Sequence, residues 1–391
     1  MKRLALAALA ACTSSGDHSV PAGDLQMNDL SVLLPLPTTQ ADLDHMLAPT
    51  APAVGGELFP ESIYDMGQQG IDYSSLRAVG FRLDPCFGQL GAIGDGTECK
   101  NQLRVVFQPV VVDTQDGETI AADAAIHAFY SITREQLLDA VDEIVAAREA
   151  DHGDADLGPL APNPVIASEG LGGTLAQAYL AIVTKYAGQA NLVQFTSLQI
   201  EAVAGVDRIV GPGEFWQFEA NTVANGTVTP QNIPTLPQTQ SNMGLGAAPD
   251  PLQASFAPLS TSNDNINLIA NFTMAQQATQ AQRQASFDAA LRVLNPHDNS
   301  PNTIDCATCH MAHPAVQLVG QQLGLTSRGD ANAFVPDASI PVADLEQTTQ
   351  FTDSEMVLNI HAFSYRETSP MINQRVINET AANLAYIASL R

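Results

Sequence analysis

The chain has 391 residues, of which 45% are hydrophobic, so a sizeable core can form and two or three domains are expected. Aspartate and glutamate number 42 against 16 lysines and arginines, which gives a net charge of −26. This charge excludes nucleic acid and anionic lipid surfaces as expected partners; it keeps the protein soluble and would attract basic protein partners.

The N-terminus has the pattern of a bacterial export signal. A basic tripeptide precedes an apolar segment that ends in Leu9-Ala10-Ala11-Cys12, which resembles a lipobox. In a lipobox the cysteine receives diacylglycerol and becomes the mature N-terminus. We therefore predict a signal peptide over residues 1–12, a lipid on Cys12 and a polar linker over 13–28. Threonine at the next position favours sorting to the outer membrane, and no later segment is apolar enough to span a membrane.

Residues 29–225 are predicted to form an α+β domain of unknown role with antiparallel strands. A strong strand at 103–112 is followed by an acidic turn and a second strand near 125–130, which is typical of a hairpin. Thr133 and Gln136 form a predicted capping box at the start of a helix that runs to about Glu149. Further elements are predicted at 30–37 (strand), 77–84 (strand), 175–186 (helix), 193–203 (strand) and 215–219 (strand).

Two cysteines, Cys86 and Cys99, remain once those of the lipobox and of the motif described below are set aside. An exported protein experiences an oxidising compartment, so the pair is predicted to form a disulfide. The alternative is a redox-active pair, although the spacing is not that of C-x-x-C.

Residues 226–264 are rich in Thr, Pro, Asn, Gln, Gly and Ser, which indicates a linker or a long crossing loop. A helix is predicted from Thr273 to Leu294, where Asn295-Pro296 ends it.

Cys306-Ala307-Thr308-Cys309-His310 has the spacing of a c-type haem attachment site. In such a site the two thiols form thioether bonds to the haem vinyl groups, and the histidine becomes the proximal iron ligand. The alternatives are a redox C-x-x-C and half of a zinc site, which would need two further ligands.

The C-terminal segment 378–390 looks like the last helix of class I cytochromes c. Together with the C-x-x-C-H motif, it makes residues 265–391 resemble a monohaem cytochrome c domain, and the whole chain resembles an exported bacterial haem lipoprotein. The resemblance implies a mainly α haem domain after the mixed N-terminal region, and one haem c as cofactor.

Three residues are candidates for the sixth iron position. Met371 precedes the last helix, where similar cytochromes supply a methionine, and His361 ends a predicted helix over Glu355–Ile360. His313 is too close to His310 to reach the opposite face of a haem. We slightly favour His361 over Met371; a histidine would lower the reduction potential and a methionine would raise it. The remaining histidines that we considered in the N-terminal region form no spacing typical of a metal site: His18, His45, His127 and His152.

These features predict a lipid-anchored monohaem cytochrome in the periplasm or at the outer membrane, which carries single electrons to or from a redox partner protein. Two other functions stay open. One is a haem enzyme of peroxidase type, in which Arg366 or Arg375 could provide the cation of an open distal site. The other is a haem-containing sensor or binding lipoprotein. No Ser-His-Asp signature, phosphate-binding Gly-rich loop or H-E-x-x-H sequence was found in the N-terminal region.

Overall fold

The computed structural model of the chain describes residues 25–67, 71–85, 100–112, 118–200, 215–233, 238–239, 242–246, 264, 267–269, 272–325, 332–347 and 360–391. Over these ranges the protein is α+β, as predicted: a large antiparallel sheet is combined with helices.

The helices of the described residues range from one turn to five turns in length. They are α1 (Met27–Leu30), α2 (Gln40–His45), α3 (Glu61–Gly67), α4 (Arg134–His152), α5 (Pro164–Glu169), α6 (Thr174–Tyr186), α7 (Phe272–Gln277), α8 (Gln280–Leu294), α9 (Cys306–Leu323) and α10 (Gln374–Ser389). None of them combines the length and the apolar character that crossing a membrane requires.

The strands are mostly long in the first half of the chain and short in the second. They are β1 (Ser31–Leu33), β2 (Pro52–Ala53), β3 (Gly56–Glu57), β4 (Leu76–Asp84), β5 (Gln102–Val112), β6 (Thr119–Ala121), β7 (Ala124–Ser131), β8 (Leu192–Ile200), β9 (Phe215–Ala224), β10 (Thr227–Pro230), β11 (Asn232–Ile233), β12 (Gln238–Thr239), β13 (Asn242–Gly246), β14 (Phe363–Arg366) and β15 (Ser369–Ile372). The main sheet has the order β1–β4–β5–β7–β8–β9–β10, with β6 also pairing β5 and β13 also pairing β9.

Helix α4 begins where the sequence predicts. The Thr133 side chain accepts a hydrogen bond from the Gln136 backbone N–H, and the Gln136 side chain accepts one from the Thr133 N–H, so the predicted capping box is confirmed. The helix predicted over 273–294 is instead two helices, α7 and α8. A second capping box, formed by Thr279 and Gln282, starts α8 and separates them.

The region predicted as a linker begins with a hairpin. Strand β9 continues to Ala224, and β10 starts at Thr227 after the two-residue turn Asn225-Gly226. Both turn residues have positive φ, 52° and 74°, the left-handed conformation that Asn-Gly turns adopt between paired strands. Residues 227–230 and 242–246 of this region therefore extend the main sheet by pairing with β9.

Helices lie on both faces of the sheet. On one face, the Phe81 ring of β4 meets the Tyr179 ring of α6 edge to face, with centroids 6.0 Å apart. On the other face, Arg82 of β4 contacts Glu379 of α10, and Phe218 of β9 contacts His310 of α9. Because side chains alternate along a strand, neighbouring residues such as Phe81 and Arg82 serve opposite faces.

The N-terminal and C-terminal parts of the chain share one hydrophobic core. The Ser31 hydroxyl lies 2.7 Å from the Thr380 hydroxyl, and both groups are buried. The Gln108 side chain donates to the Tyr365 carbonyl (2.9 Å) and accepts from the Tyr365 N–H (2.7 Å). The division into a domain at 29–225 and a haem domain at 265–391 stays a prediction, but the described residues of the two parts pack together closely.

Candidate functional site

The C-x-x-C-H motif occupies the first turn and a half of α9. Asp305 caps this helix: its buried carboxylate accepts a hydrogen bond from the Thr308 N–H at 2.7 Å. Cys306 and Cys309 are three residues apart and therefore lie on the same side of the helix, where both line one cavity. Both thiols are half-buried.

The cavity lies between α9, α10 and the main sheet. Its volume is about 110 Å³, smaller than the roughly 300–1,000 Å³ that is usual for ligand pockets. Its lining combines the cysteines and histidine of the motif with residues of the sheet and of α10: Arg82, Arg104, His127, Phe129, Gln194, Thr196, Ser197, Leu198, Phe218, Ala220, Gln231, Pro301, Ile304, Asp305, Ala362, Phe363, Asn373, Arg375, Val376 and Glu379.

His310 is held in one orientation. Its Nδ1 lies 2.6 Å from the Ile360 carbonyl oxygen, and its ring meets Phe218 edge to face at 5.2 Å. A carbonyl can only accept, so Nδ1 carries the proton and Nε2 keeps a free lone pair. Burial lowers the pKa of His310 to about 4, although the hydrogen bond to Ile360 raises this pKa and so offsets part of the effect. The imidazole is therefore neutral at pH 7, as metal ligation requires.

The motif thiols are protonated at neutral pH. Burial raises the pKa of Cys309 to about 11, although the nearby guanidinium of Arg375 opposes the rise. Burial also raises the pKa of Cys306, and the Asp305 carboxylate adds to the effect. A catalytic redox C-x-x-C needs a thiol with a lowered pKa, so this environment does not favour the redox alternative.

A buried charge cluster borders the cavity. Glu379 lies between Arg82 (Nη1 to Oε2, 3.1 Å) and Arg375 (Nε to Oε1, 2.7 Å), and Asp84 pairs with Arg104 (Nη2 to Oδ2, 2.8 Å). Burial alone would raise the pKa of Glu379, but the three arginines and the hydrogen bond from Arg375 lower it to about 2. Among the described residues, three arginines thus face two carboxylates of the cluster, and the Asp305 carboxylate also lines the cavity.

His127 is the member of the lining that the sequence interpretation set aside. It lies in the middle of β7, and its half-buried imidazole faces the cavity. Burial lowers the pKa of His127 well below its usual value, and nearby Arg104 and His310 lower it further. None of the described residues forms a hydrogen bond with this imidazole. A cavity-facing ring without a protein partner is an unusual feature.

The structure does not bring the predicted sixth ligands to this cavity. The Nε2 of His361 lies 3.3 Å from the Asp123 carboxylate. His361 directly follows Ile360, whose carbonyl accepts the hydrogen bond from Nδ1 of His310. Met371 is buried among apolar side chains, including Phe287 and Val319. Neither is among the described residues that line the cavity.

His313, on the same helix as the motif, is buried away from the cavity. Its Nδ1 accepts a hydrogen bond from the Gln374 N–H, and the Gln347 side-chain amide lies 2.9 Å from Nε2.

Several predictions fall outside the described residues. These are the lipidated Cys12, the proposed disulfide between Cys86 and Cys99, and the helix over Glu355–Ile360 except for its last residue.

The chemical groups around the motif fit a haem. Two thiols and a neutral imidazole with a free Nε2 face the same cavity, and a second neutral imidazole lines it. The arginine side chains at the cavity are of the kind that pairs with the carboxylate groups a haem carries. The part of the chain that the structure describes contains no group of three or more His, Cys, Asp or Glu residues placed to hold a bare metal ion.

Some of these cavity residues could have been suspected from the sequence. Arg104 and His127 each interrupt a strongly apolar strand, and a charged or titratable side chain at such a position needs a polar site or a cavity to face. The closeness of β4, β5, β7 and α10 depends on the sheet order, which no local pattern reveals.

Comparisons with known proteins found no match to this chain, either among protein-family models, among curated proteins or among solved structures.

Proposed function

We propose that this chain is an exported, lipid-anchored monohaem c-type cytochrome that carries single electrons, with its haem held by the cytochrome c-like segment 265–391. The observation that carries the proposal is the C-x-x-C-H motif at the start of α9, which opens onto a cavity while the Ile360 carbonyl fixes the His310 ring. A motif match alone could be accidental; a motif whose three functional side chains line one cavity is far more specific.

Each residue of the motif has a defined task in this proposal. The Cys306 and Cys309 thiols would hold the haem by adding S–H across its two vinyl groups, which needs no oxidant. His310 would bind iron through Nε2, and the hydrogen bond from Nδ1 to Ile360 would keep the ring oriented and make it a stronger ligand. When bound, the haem supplies a one-electron ferric–ferrous couple.

The surface charge supports a role in docking. With a net charge of −26, the protein would attract a redox partner with a basic surface, and this attraction would weaken as salt is added. Attachment through Cys12 would keep the protein at the membrane surface, with the outer membrane favoured.

A peroxidase-type enzyme is the second candidate. It is favoured by one observation: His127, Arg104 and Arg375 line the same cavity, and a base beside cations is what peroxide cleavage requires. The arginines are nevertheless engaged already. Arg375 donates to Glu379, to the Val293 carbonyl (2.6 Å) and to the Asn299 carbonyl (2.8 Å).

The proposal is tested by covalent haem attachment in cells that mature c-type cytochromes. Wild-type protein should retain haem after denaturing electrophoresis, and the double variant Cys306→Ala/Cys309→Ala should lose it. Thr308→Ser, which keeps the C-x-x-C-H pattern, is the matched control and should retain haem. Absence of covalent haem from the wild type, or its retention by the double variant, would refute the proposal.

Optical spectra of the purified holoprotein separate the two candidate functions. A six-coordinate low-spin ferric spectrum supports the electron carrier. A five-coordinate high-spin spectrum that changes on addition of hydrogen peroxide supports the enzyme.

A further inference from the structure

His127 lies at the centre of the cavity-facing side of the sheet. In the strand register it pairs with Val106 of β5 and Thr196 of β8, and Thr196 in turn pairs with Ala220 of β9. Residues paired in this way project from the same face of a sheet. Thr196 and Ala220 have shorter side chains than His127, so they leave room for its imidazole to extend into the cavity.

The state of the His127 imidazole suits ligation. Among the described residues it has no hydrogen-bond partner, and it lines the same cavity as the motif. A half-buried imidazole that no protein group contacts by a hydrogen bond has a nitrogen available, and a bound metal would occupy it. His310 faces the same cavity from α9, on the helical side.

We propose that His127 is the sixth ligand of the haem iron, so that β7 and α9 each supply one axial histidine. This inference rests on the haem attachment proposed above. His361 is a weaker candidate because it lies beside Asp123 and follows Ile360, on the Nδ1 side of the His310 ring. Met371 is a weaker candidate because its side chain is enclosed in a separate apolar cluster.

Ligation is favoured over a role of His127 as a distal base. In a peroxidase-type site the arginine next to the base must be available to polarise the oxidant. Here Arg104 pairs with Asp84 and lies over the Phe129 ring, 4.8 Å from its centroid. Arg104 is therefore held beside Asp84 and Phe129 rather than aimed at an oxidant next to His127.

Two axial imidazoles have a consequence for the redox function. Histidine stabilises ferric iron better than methionine does, so a haem bound by His310 and His127 has a lower reduction potential than a haem with histidine and methionine ligands. The protein would then exchange electrons with low-potential partners.

The test uses the full-length holoprotein and the variants His127→Ala, His127→Met, His361→Gln and Met371→Leu. Covalent haem staining, ferric electron paramagnetic resonance spectra and reduction potentials are measured for each. His127→Met is included because it preserves the side-chain volume and provides a different ligand atom, so the result does not depend on how well the alanine variant folds.

The wild type should give the low-spin signal of two imidazoles. His127→Ala should lose this signal while it retains covalent haem, and added imidazole should restore it. His127→Met should show sulfur-to-iron absorption and an upward shift in potential, whereas His361→Gln and Met371→Leu should match the wild type.

The inference is overturned if both His127 variants keep the wild-type spectrum, or if His361→Gln or Met371→Leu alone loses the low-spin signal. If every variant retains covalent haem but the low-spin signal and the potential do not respond to the His127 variants as expected, only the role of His127 is refuted. A wild type without covalent haem would refute the proposed function itself.

Discussion

Neutral imidazoles and paired charges lie side by side at the cavity, and burial acts on them differently. An imidazole responds to burial by giving up its proton, so His310 stays neutral and its Nε2 is free to bind a metal. A buried carboxylate would become neutral by binding a proton, but three arginines beside Glu379 favour its ionised form, so Glu379 keeps its charge. The same buried region therefore supplies both the ligand nitrogens and the guanidinium groups that a haem would contact.

Glu379 should be important for stability. Replacing it by Gln leaves three buried arginines with Asp84 as their remaining carboxylate in the cluster, and breaking a buried pair in this way costs about 3–5 kcal/mol of unfolding free energy. Urea unfolding of Glu379→Gln measures the loss. Lys185→Gln, which removes the exposed pair with Glu143, should lose less than about 1 kcal/mol. Equal losses in the two variants would contradict this prediction.

His313 should make stability depend on pH. Burial lowers its pKa to about 3, below the value of about 6.5 expected in the unfolded chain. As the pH falls below about 6.5, the unfolded chain binds this proton first, so the stabilisation is complete above about pH 6.5 and declines toward pH 3.

His313→Gln cannot bind that proton. Its unfolding free energy should therefore fall less steeply with decreasing pH, by up to about 1.4 kcal/mol per pH unit in this range. Urea titrations at several pH values measure the slope. An unchanged slope in His313→Gln would show that burial does not control this group.

Among the helices, α9 begins with a buried cap. Asp305 is 1% exposed, and it accepts a hydrogen bond from the Thr308 N–H inside the haem motif. Asp305→Ala should lower the unfolding free energy by about 1–2 kcal/mol, since the Thr308 N–H is left without its partner in a buried position.

The exposed cap of α8 provides the comparison. Thr279→Ala should have a smaller effect, about 0.5–1 kcal/mol, because water can replace the lost hydrogen bond. Both values are accessible by urea denaturation of purified protein. A larger loss in Thr279→Ala than in Asp305→Ala would contradict the argument from burial.

Local patterns in the sequence predicted those elements that local chemistry determines. The strand at β5, the capping box of α4 and the final helix were all identified, because alternation and capping act over a few residues. The hairpin at Asn225-Gly226 was also a local signal, but the polar composition that follows it favoured a linker.

The candidate site could be predicted only in part. Cys306, Cys309 and His310 were found because their spacing is itself the signal. His127 was not, because its role depends on β7 facing α9 across the cavity, and the two elements are far apart in the sequence. Long-range placement of this kind follows from the strand order, which a single sequence does not reveal.

At the scale of the whole molecule, the fold joins segments from both ends of the chain. Arg82 of β4 contacts Glu379 of α10, Asn383 donates to the Asp84 carboxylate at 3.2 Å, and Tyr365 donates to the Leu34 carbonyl at 2.7 Å. The cavity itself has walls from both parts. A haem bound there would therefore link the stability of the sheet to that of α9 and α10.

This shared core predicts that residues 29–225 do not fold alone. Without α10 and the β14–β15 hairpin, the fragment would expose one side of its sheet, and the buried Arg82 and Gln108 would lose their partners Glu379 and Tyr365. We expect a fragment of residues 25–233 to give poorly dispersed proton NMR spectra and no cooperative urea transition, whereas residues 25–391 should unfold in one transition that is the same by circular dichroism and by fluorescence. A cooperative transition of the fragment at the urea midpoint of the longer chain would instead establish an independent N-terminal domain. The cavity would then lie between two independently folding units.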